Sequence, residues 1–295
     1  MTVGYLKSRR RRTSDVVRDI ALYIILLIFF LPAVWIILTS MRPNAEINSR
    51  PPIWIPNEIT FDSYKILLGM PTPEGAFGMG GNIPFANYAL NSLVIAFVST
   101  FFALALGTLA GYTFSRFVFR GKNGVFLGMM LLRAVPGIAL SLPLFILFAN
   151  LGLSDTILGM IIVYTALNIP FTAWLMDGFF RAIPEELDDA ARIDGCSQWN
   201  AFLRIDLPLA LPGMAASGIF AFLTSWNEFA LASVITRTPA SRTFPPALFE
   251  FTGQFVSDWR GMCAMSVMML IPAVIFVAVV QRQLMEGLTS GATKG

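Results

Sequence analysis

Histidine is missing from this chain of 295 residues, and its two cysteines, Cys196 and Cys263, lie in very different sequence contexts. Without histidine, the chain has neither the most common protein ligand for metal ions nor the usual acid–base catalyst at neutral pH. Two cysteines in unrelated contexts indicate neither a disulfide framework nor a metal site. We therefore expect no metal and no histidine-dependent catalysis in this chain.

A nucleotide-binding loop is missing as well. The pattern G-x-x-x-x-G-K-[ST], whose backbone cradles phosphates, occurs nowhere in the sequence. Gly121 and Lys122 lack the upstream glycine and are followed by Asn123. We expect that the chain does not hydrolyse ATP and binds no cofactor of its own.

Charge is scarce, since Asp, Glu, Lys and Arg make up 13% of the residues and hydrophobic residues 56%. A soluble domain carries about a quarter charged residues, so this composition indicates a lipid bilayer. Six apolar stretches reach the ~20 residues that a spanning helix needs. They are 20–40, 88–114, 124–148, 156–176, 213–236 and 261–281. The predicted fold class is an all-α membrane protein with six transmembrane helices, the first an uncleaved anchor.

Basic residues are distributed unevenly between the segments that join these spans. With the N-terminus inside, the inner segments 1–19, 115–123, 177–212 and 282–295 hold 14 lysines and arginines, against six in the outer segments. Cytoplasmic loops are enriched in these residues, so both termini are predicted to be cytoplasmic. The four arginines at 9–12 could bind nucleic acid, but beside a spanning helix we interpret them as a topology determinant. The chain is then one six-helix domain, residues 20–281, with cytoplasmic ends.

The inner segment 177–212 is unusually polar for this chain. Pro184 and the acidic residues after it suit the start of a helix, and Gly195 can end it. Ser197 can cap a second helix, which prolines interrupt before the fifth span. The prediction is a compact helix–turn–helix below the membrane. The residues alone leave two interpretations open, a hairpin that inserts into a cleft of another protein or an ordinary solvated loop.

A motif in this hairpin resembles the EAA loop of ABC-importer permeases, which reads acid-Ala-Ala, three residues, Gly, nine residues, Ile, one residue, Leu-Pro. The matching residues are Asp189, Ala190, Ala191, Gly195, Ile205, Leu207 and Pro208. Asp189 stands where the family usually has glutamate. The resemblance extends along most of the chain and is closest to the shorter, six-span permease subunit of maltose-type carbohydrate importers. Supporting stretches are RPPIWIP (50–56), SWNEF (225–229) and QRQLMEGLTSGATKG (281–295).

This resemblance implies an ABC type I importer permease-like fold in the bacterial inner membrane. In that family the loop docks on a cytoplasmic ATPase, which carries ATP and Mg²⁺. The expected partners are a second homologous permease, two ATPase subunits and an extracytoplasmic solute-binding protein, and the expected cargo is a sugar, oligosaccharide, polyol or glycoside. Glu185 and the seven motif residues would couple to the ATPase, and residues 282–295 would form a second, weaker contact.

Five polar or aromatic residues inside the predicted spans are candidates for a substrate path: Arg133, Asn168, Trp226, Asn227 and Glu228. Charge inside lipid is costly, so Arg133 and Glu228 need either a partner or a water-filled cavity. They could form a structural ion pair, or Arg133 could bind backbone carbonyls near Pro136. Alternatively, Trp226 stacks on a sugar while the polar residues bind hydroxyls, and an accessible Arg133 favours an anionic sugar derivative.

Small residues and prolines indicate how the spans pack and bend. Gly107 and Gly111, and likewise Gly213 and Ser217, are spaced for close helix contacts. Prolines at positions 136, 143, 170 and 272 predict bends or local openings in the third, fourth and sixth spans. Outside the membrane, the loops 41–85 and 237–259 would meet the solute-binding protein, with residues 70–84 as a linker.

Three other functions remain as alternatives. An ion-coupled secondary transporter would need paired acids or histidine at mid-membrane, and only Glu228 is available. A membrane enzyme has still less support, because histidine, a cysteine cluster and an acid pair at the membrane face are all missing. An ABC permease for amino acids or phosphate shares the EAA loop, and only the resemblance of the stretches at 50–56 and 225–229 argues against it.

Overall fold

The computed structural model describes residues 13–72, 83–253 and 257–292, and their side chains between residues 16 and 283. The arginines at 9–12, most of the predicted linker 70–84 and Lys294 lie outside these ranges. In chain order the α-helices of the described part are α1 (Thr13–Ser40), α2 (Asn44–Ile47), α3 (Asp62–Leu67), α4 (Phe85–Arg116), α5 (Lys122–Ala134), α6 (Gly137–Asn150), α7 (Ile157–Arg181), α8 (Glu186–Ile193), α9 (Gln198–Ala201), α10 (Leu207–Leu209), α11 (Leu211–Trp226), α12 (Ala230–Ile235), α13 (Phe244–Ala247) and α14 (Trp259–Ala292). A π-helical turn, Phe202–Asp206, joins α9 to α10, and a 3₁₀ turn, Leu248–Phe251, follows α13.

The long helices coincide with the predicted spans. α1, α4, α7 and α14 are each long and apolar enough to cross a bilayer, and so is the stretch Leu211–Ile235 that contains α11 and α12. The apolar stretch of the last span runs from Trp259 to Gln283, close to the predicted bounds. The helix α14 itself continues to Ala292, so residues 282–292 of the predicted tail are helical.

The third span is broken rather than continuous. α5 and α6 meet at a bend of 100° around Val135 and Pro136. Proline lacks the amide hydrogen that a helix needs and disfavours helical geometry in the residue before it, which explains the break at Pro136. The other three prolines of the prediction lie inside helices that remain continuous.

The two ends of the broken span lie at opposite ends of the bundle. α5 follows Arg116, which contacts Asp206 just before α11. α6 leads to Asp155, whose backbone amide donates to the carbonyl of Ile235 at the end of α12. Because α11 and α12 separate Asp206 from Ile235, α5 and α6 together cross the bundle once. With this bent pair counted as one span, the described residues contain six candidate spans.

Glycines bring α4 and α7 into backbone contact, which makes this pair the most extensive helix contact in the described fold. A Cβ atom on Gly107 would lie 2.6 Å from the side chain of Thr172, and one on Gly111 would lie 2.9 Å from the carbonyl oxygen of Ala173. Both distances are shorter than a Cβ atom can approach another heavy atom, so only glycine at these two positions permits α4 and α7 to come this close. The predicted packing role of Gly107 and Gly111 is confirmed.

The remaining helices surround this pair. α11 packs on α4, α7 and α14, while α12 packs on α6. A Cβ on Gly213 would lie 2.5 Å from the ring of Phe179, so the predicted close contact at the start of α11 is also present. α1 differs from the other spans, because it packs on α14 and its most apolar stretch contains no buried residue.

Candidate functional site

The segment between α7 and α11 forms the predicted helical hairpin. α8 ends before Gly195, whose φ of +86° lies in the left-handed region that favours glycine. The side chain of Ser197 then caps α9 by accepting a hydrogen bond from the amide of Asn200 at 3.3 Å. Both turn signals identified in the sequence therefore act as predicted.

The hairpin exposes most of the residues that resemble the EAA motif. Glu185, Asp189, Ala190, Gly195 and Pro208 are exposed, and Ile205 and Leu207 are partly buried. Ala191 differs, since it is buried against the rest of the fold. Two large apolar side chains, Ile193 and Trp199, project from the same hairpin with 87% and 56% exposure. The hairpin thus presents a mixed apolar and acidic surface on the side away from the spans.

The buried side of the hairpin is attached to the spans by aromatic packing. Phe202 in the π-helical turn lies 4.6 Å from Tyr112 of α4 and 6.1 Å from Phe180 of α7, measured between ring centroids. Met176, Ile183 and Ala210 complete this buried cluster. The hairpin is therefore packed directly against α4 and α7.

Arg116, at the end of α4, adds an ionic attachment that sequence reasoning missed. Its Nε lies 2.9 Å from Oδ2 of Asp188 in α8, and its Nη2 lies 3.0 Å from Oδ1 of Asp206 before α10. Nη2 also donates to the carbonyl of Ile183 at 3.2 Å. The Arg116 side chain is 5% exposed and that of Asp206 is fully buried. We call Arg116, Asp188 and Asp206 the arginine clamp.

The clamp holds two carboxylates around one guanidinium. Burial raises the pKa of Asp206 to about 6, and the nearby Asp188 carboxylate acts in the same direction while Arg116 opposes it. Asp206 is therefore ionised at neutral pH but can take up a proton under mild acidity. The sequence contained one signal for the clamp, since Arg116 lies at the inner end of a span and an acidic loop is predicted on the same side. We interpreted Arg116 only as one of the basic residues that set the orientation of the spans, so a structural role was not predicted.

The five intramembrane candidates do not form one cluster. Asn168 is buried and donates to the carbonyl of Tyr164 and to Oγ of Ser225, each at 2.9 Å. Trp226 is also buried, with its Nε1 donating to the carbonyl of Met269 at 3.2 Å. In this conformation Trp226 offers no ring face to a sugar. Asn227 is exposed and donates to the carbonyl of Leu223.

Glu228 is engaged in capping α12. Its carboxylate accepts hydrogen bonds from the amides of Leu231 at 2.9 Å and Ala232 at 3.0 Å, and from the hydroxyl of Tyr164 at 2.8 Å. The carboxylate thereby satisfies two of the free amide donors at the N-terminus of α12. The structural ion pair between Arg133 and Glu228, considered from the sequence, is not present among the described side chains. Arg133 instead lies over the rings of Phe171 and Phe220.

The opposite face of the protein carries a second set of interlocked loops. Asp155 accepts hydrogen bonds from the amides of Arg237 at 2.8 Å and Thr238 at 3.0 Å, and from the hydroxyl of Ser241. Although burial acts in the opposite direction, these donors lower the pKa of Asp155 to about 2. Glu250 joins the loop to α4 by pairing with Arg242 and accepting from the hydroxyl of Tyr88. These contacts tie the loop after α12 to Asp155 and to α4.

Comparisons with known proteins agree with this architecture. Residues 103–289 match the model of a family described as "Binding-protein-dependent transport system inner membrane component". The diacetylchitobiose uptake permease of Streptomyces coelicolor is 31% identical over 90% of this chain and 91% of its own length. The trehalose transport permease of Mycobacterium tuberculosis is 35% identical over 90% of this chain and 92% of its own length.

Two further similarities come from a relative and a solved structure. The sulfoquinovosyl glycerol transport permease of Agrobacterium fabrum is 31% identical over 94% of this chain and 93% of its own length. A chain from the crystal structure of a bacterial ABC transporter for the import of alginate has the same fold, with a TM-score of 0.73, 21% identity, and coverage of 93% of this chain and 99% of that chain. The chain therefore belongs to the inner-membrane permease components of binding-protein-dependent ABC transport systems.

Proposed function

We propose that this permease imports a carbohydrate, in the form of a sugar, oligosaccharide, polyol or glycoside. The relatives named for diacetylchitobiose, trehalose and sulfoquinovosyl glycerol support this cargo class, since each is at least 31% identical over 90% or more of the chain. Its working partners are a second permease, two ATPase subunits that bind ATP and Mg²⁺, and an extracytoplasmic solute-binding protein.

One observation carries the proposed mechanism, namely that the hairpin is exposed on one side and fixed to the spans on the other. The exposed side offers Asp189, Ala190 and Ile193 to a groove on the ATPase. The fixed side is joined to α4 by the arginine clamp and to α7 by the packing of Phe202. When the ATPases close on ATP, the hairpin moves with them and tilts the spans between inward-facing and outward-facing states, as rigid-body alternating access requires.

A docking variant tests this role. Ala190→Arg places bulk and charge on the exposed side of α8, whereas Ala191 is buried and a larger residue there would disturb the fold itself. We expect Ala190→Arg to abolish uptake and ATPase co-purification while membrane insertion is preserved. The matched control is Asn123→Arg, an exposed site in the neighbouring inner loop. Normal uptake and normal ATPase association in Ala190→Arg would disprove the coupling role of the hairpin.

A further inference from the structure

Arg133 occupies an unusual position for a charged residue. It lies in the last turn of α5, immediately before the break of the third span. Its guanidinium carbon is 4.6 Å from the ring centroid of Phe171 in α7 and 4.8 Å from that of Phe220 in α11. The side chain is only partly buried. Arg133 therefore joins three spans at one point and still has an accessible edge.

The charge of Arg133 has no carboxylate partner among the described side chains. Glu228 caps α12, and Asp177, the single acid of α7, pairs with Arg181 at 2.9 Å. Cation–π contacts with two phenylalanine rings recover only part of the cost of placing a guanidinium at this depth. The guanidinium thus retains hydrogen-bond donors that an anion can use.

Two open grooves lie along the helices that carry the rings beside Arg133. The ring centroids of Phe171 and Phe220 lie 3.9 Å apart, and Phe220 lines one of these grooves. One groove, of about 380 Å³, follows α7 from Trp174 to Ala182 at its inner end. The other, of about 460 Å³, follows α11 from Ala216 to Thr224 toward its outer end. A partly exposed charge beside closely packed aromatic rings suits contact with a polar ligand.

We propose that Arg133, framed by Phe171 and Phe220, binds a carboxylate or sulfonate group of the saccharide as it passes the middle of the membrane. This inference rests on the proposed function and specifies the cargo as an acidic sugar. The planar guanidinium binds a carboxylate or sulfonate through two parallel charge-assisted hydrogen bonds, which are about twice as strong as hydrogen bonds between neutral groups. The rings beside it cover the apolar faces of the sugar.

The same anionic group could come from a second source, a carboxylate of the second permease that faces Arg133 in the assembled transporter. The two sources differ in their consequences. A carboxylate of the second permease would be needed for assembly and for every cargo, whereas a carboxylate of the cargo matters only for acidic sugars.

Uptake by the complete transporter in proteoliposomes, with its own solute-binding protein and ATPases, distinguishes these sources. The probes are neutral mono- and disaccharides and the same sugars with one terminal hydroxymethyl group oxidised to a carboxylate. We expect the unmodified transporter to import at least one acidic probe. In Arg133→Gln its uptake should fall about 10- to 100-fold, the loss typical of charge-assisted hydrogen bonds. Uptake of the acidic probe by Arg133→Lys should lie between that of the unmodified transporter and that of Arg133→Gln, because lysine keeps the charge but lacks the planar guanidinium.

Arg120→Gln, at an exposed site of the inner loop, is the control for loss of one positive charge. Import of neutral probes alone would overturn this inference and leave the proposed function standing. Equal losses for neutral and acidic probes, or loss of the second permease during purification of Arg133→Gln, would identify a structural carboxylate and also overturn it. If the transporter imports neither kind of probe, the carbohydrate function is wrong and this inference fails with it.

Discussion

Replacing Arg116 by methionine tests whether the arginine clamp connects the hairpin to the spans. Methionine keeps most of the volume of the buried stem but removes the guanidinium that contacts Asp188 and Asp206. The fully buried carboxylate of Asp206 then has no counter-charge, and the carbonyl of Ile183 loses a donor. The substitution therefore removes the ionic attachment while the aromatic attachment remains.

The structure sets the expected size of the effect. Removing one partner of a buried ion pair costs about 3–5 kcal/mol of the free energy of unfolding. Because the pKa of Asp206 is already raised to about 6, this carboxyl can take up a proton at little cost. We therefore expect about 3 kcal/mol for Arg116→Met, the lower end of that range. Asp206→Asn should cost about 2 kcal/mol alone but under about 1 kcal/mol in the Arg116→Met background, because the pair is already lost.

Two assays measure the consequences. Denaturation by SDS in lipid–detergent micelles gives the free energies for the double-mutant cycle, and proteoliposomes give the ATP hydrolysed per sugar imported. We expect this ratio to rise in Arg116→Met, because ATPase movement is transmitted to α4 less completely. Two results would refute the reasoning: additive free energies in the cycle, or an unchanged ratio of ATP to sugar in a variant that assembles normally.

Three further predictions follow from single sites. Between about pH 4 and pH 6 the folded state binds the extra proton of Asp206, so stability falls as pH rises through this window, and Asp206→Asn should remove that slope in thermal unfolding. Gly111→Leu should prevent folding by forcing α4 from α7, whereas Gly128→Leu, with open space around it, should not, as judged by the yield of monodisperse protein. Asp155→Ala should lower the free energy of unfolding by about 1–2 kcal/mol and expose the loop from residue 237 to residue 243 to protease. Because the pKa of Asp155 is lowered in the folded state, the stability that this residue contributes is lost as pH falls from about 4 to 2.

The spans and the hairpin could be predicted because both depend on neighbouring residues. A run of ~20 apolar residues is a local property, and so are the turn at Gly195 and the cap at Ser197. The local sequence does not distinguish Pro136 from the other three prolines predicted to bend or open spans, so the break at Pro136 could not be singled out. Whether a proline interrupts a membrane helix depends on how neighbouring helices satisfy the freed backbone groups.

The contacts of the candidate site could not be predicted, since they join distant parts of the sequence. Arg116 and Asp206 are 90 residues apart, and nothing in either local sequence specifies the other. Glu228 and Asn168 were identified correctly as polar residues inside spans. Their partners, a helix N-terminus and Ser225 of another span, depend on how α7 and α11 are packed. Polarity at membrane depth reveals that a residue needs a partner but does not name it.

The glycine contact between α4 and α7 has a consequence for how the permease can change shape. Two helices whose backbones touch along Gly107 and Gly111 cannot slide past each other without collision, so they move as a single rigid body. In the proposed mechanism, a displacement of the hairpin would then be accommodated where a span is already interrupted. Among the described spans, such interruptions occur at Val135 and Pro136 between α5 and α6, and at residues 227–229 between α11 and α12. The rigid contact between α4 and α7 would thus concentrate the change of shape at these interruptions.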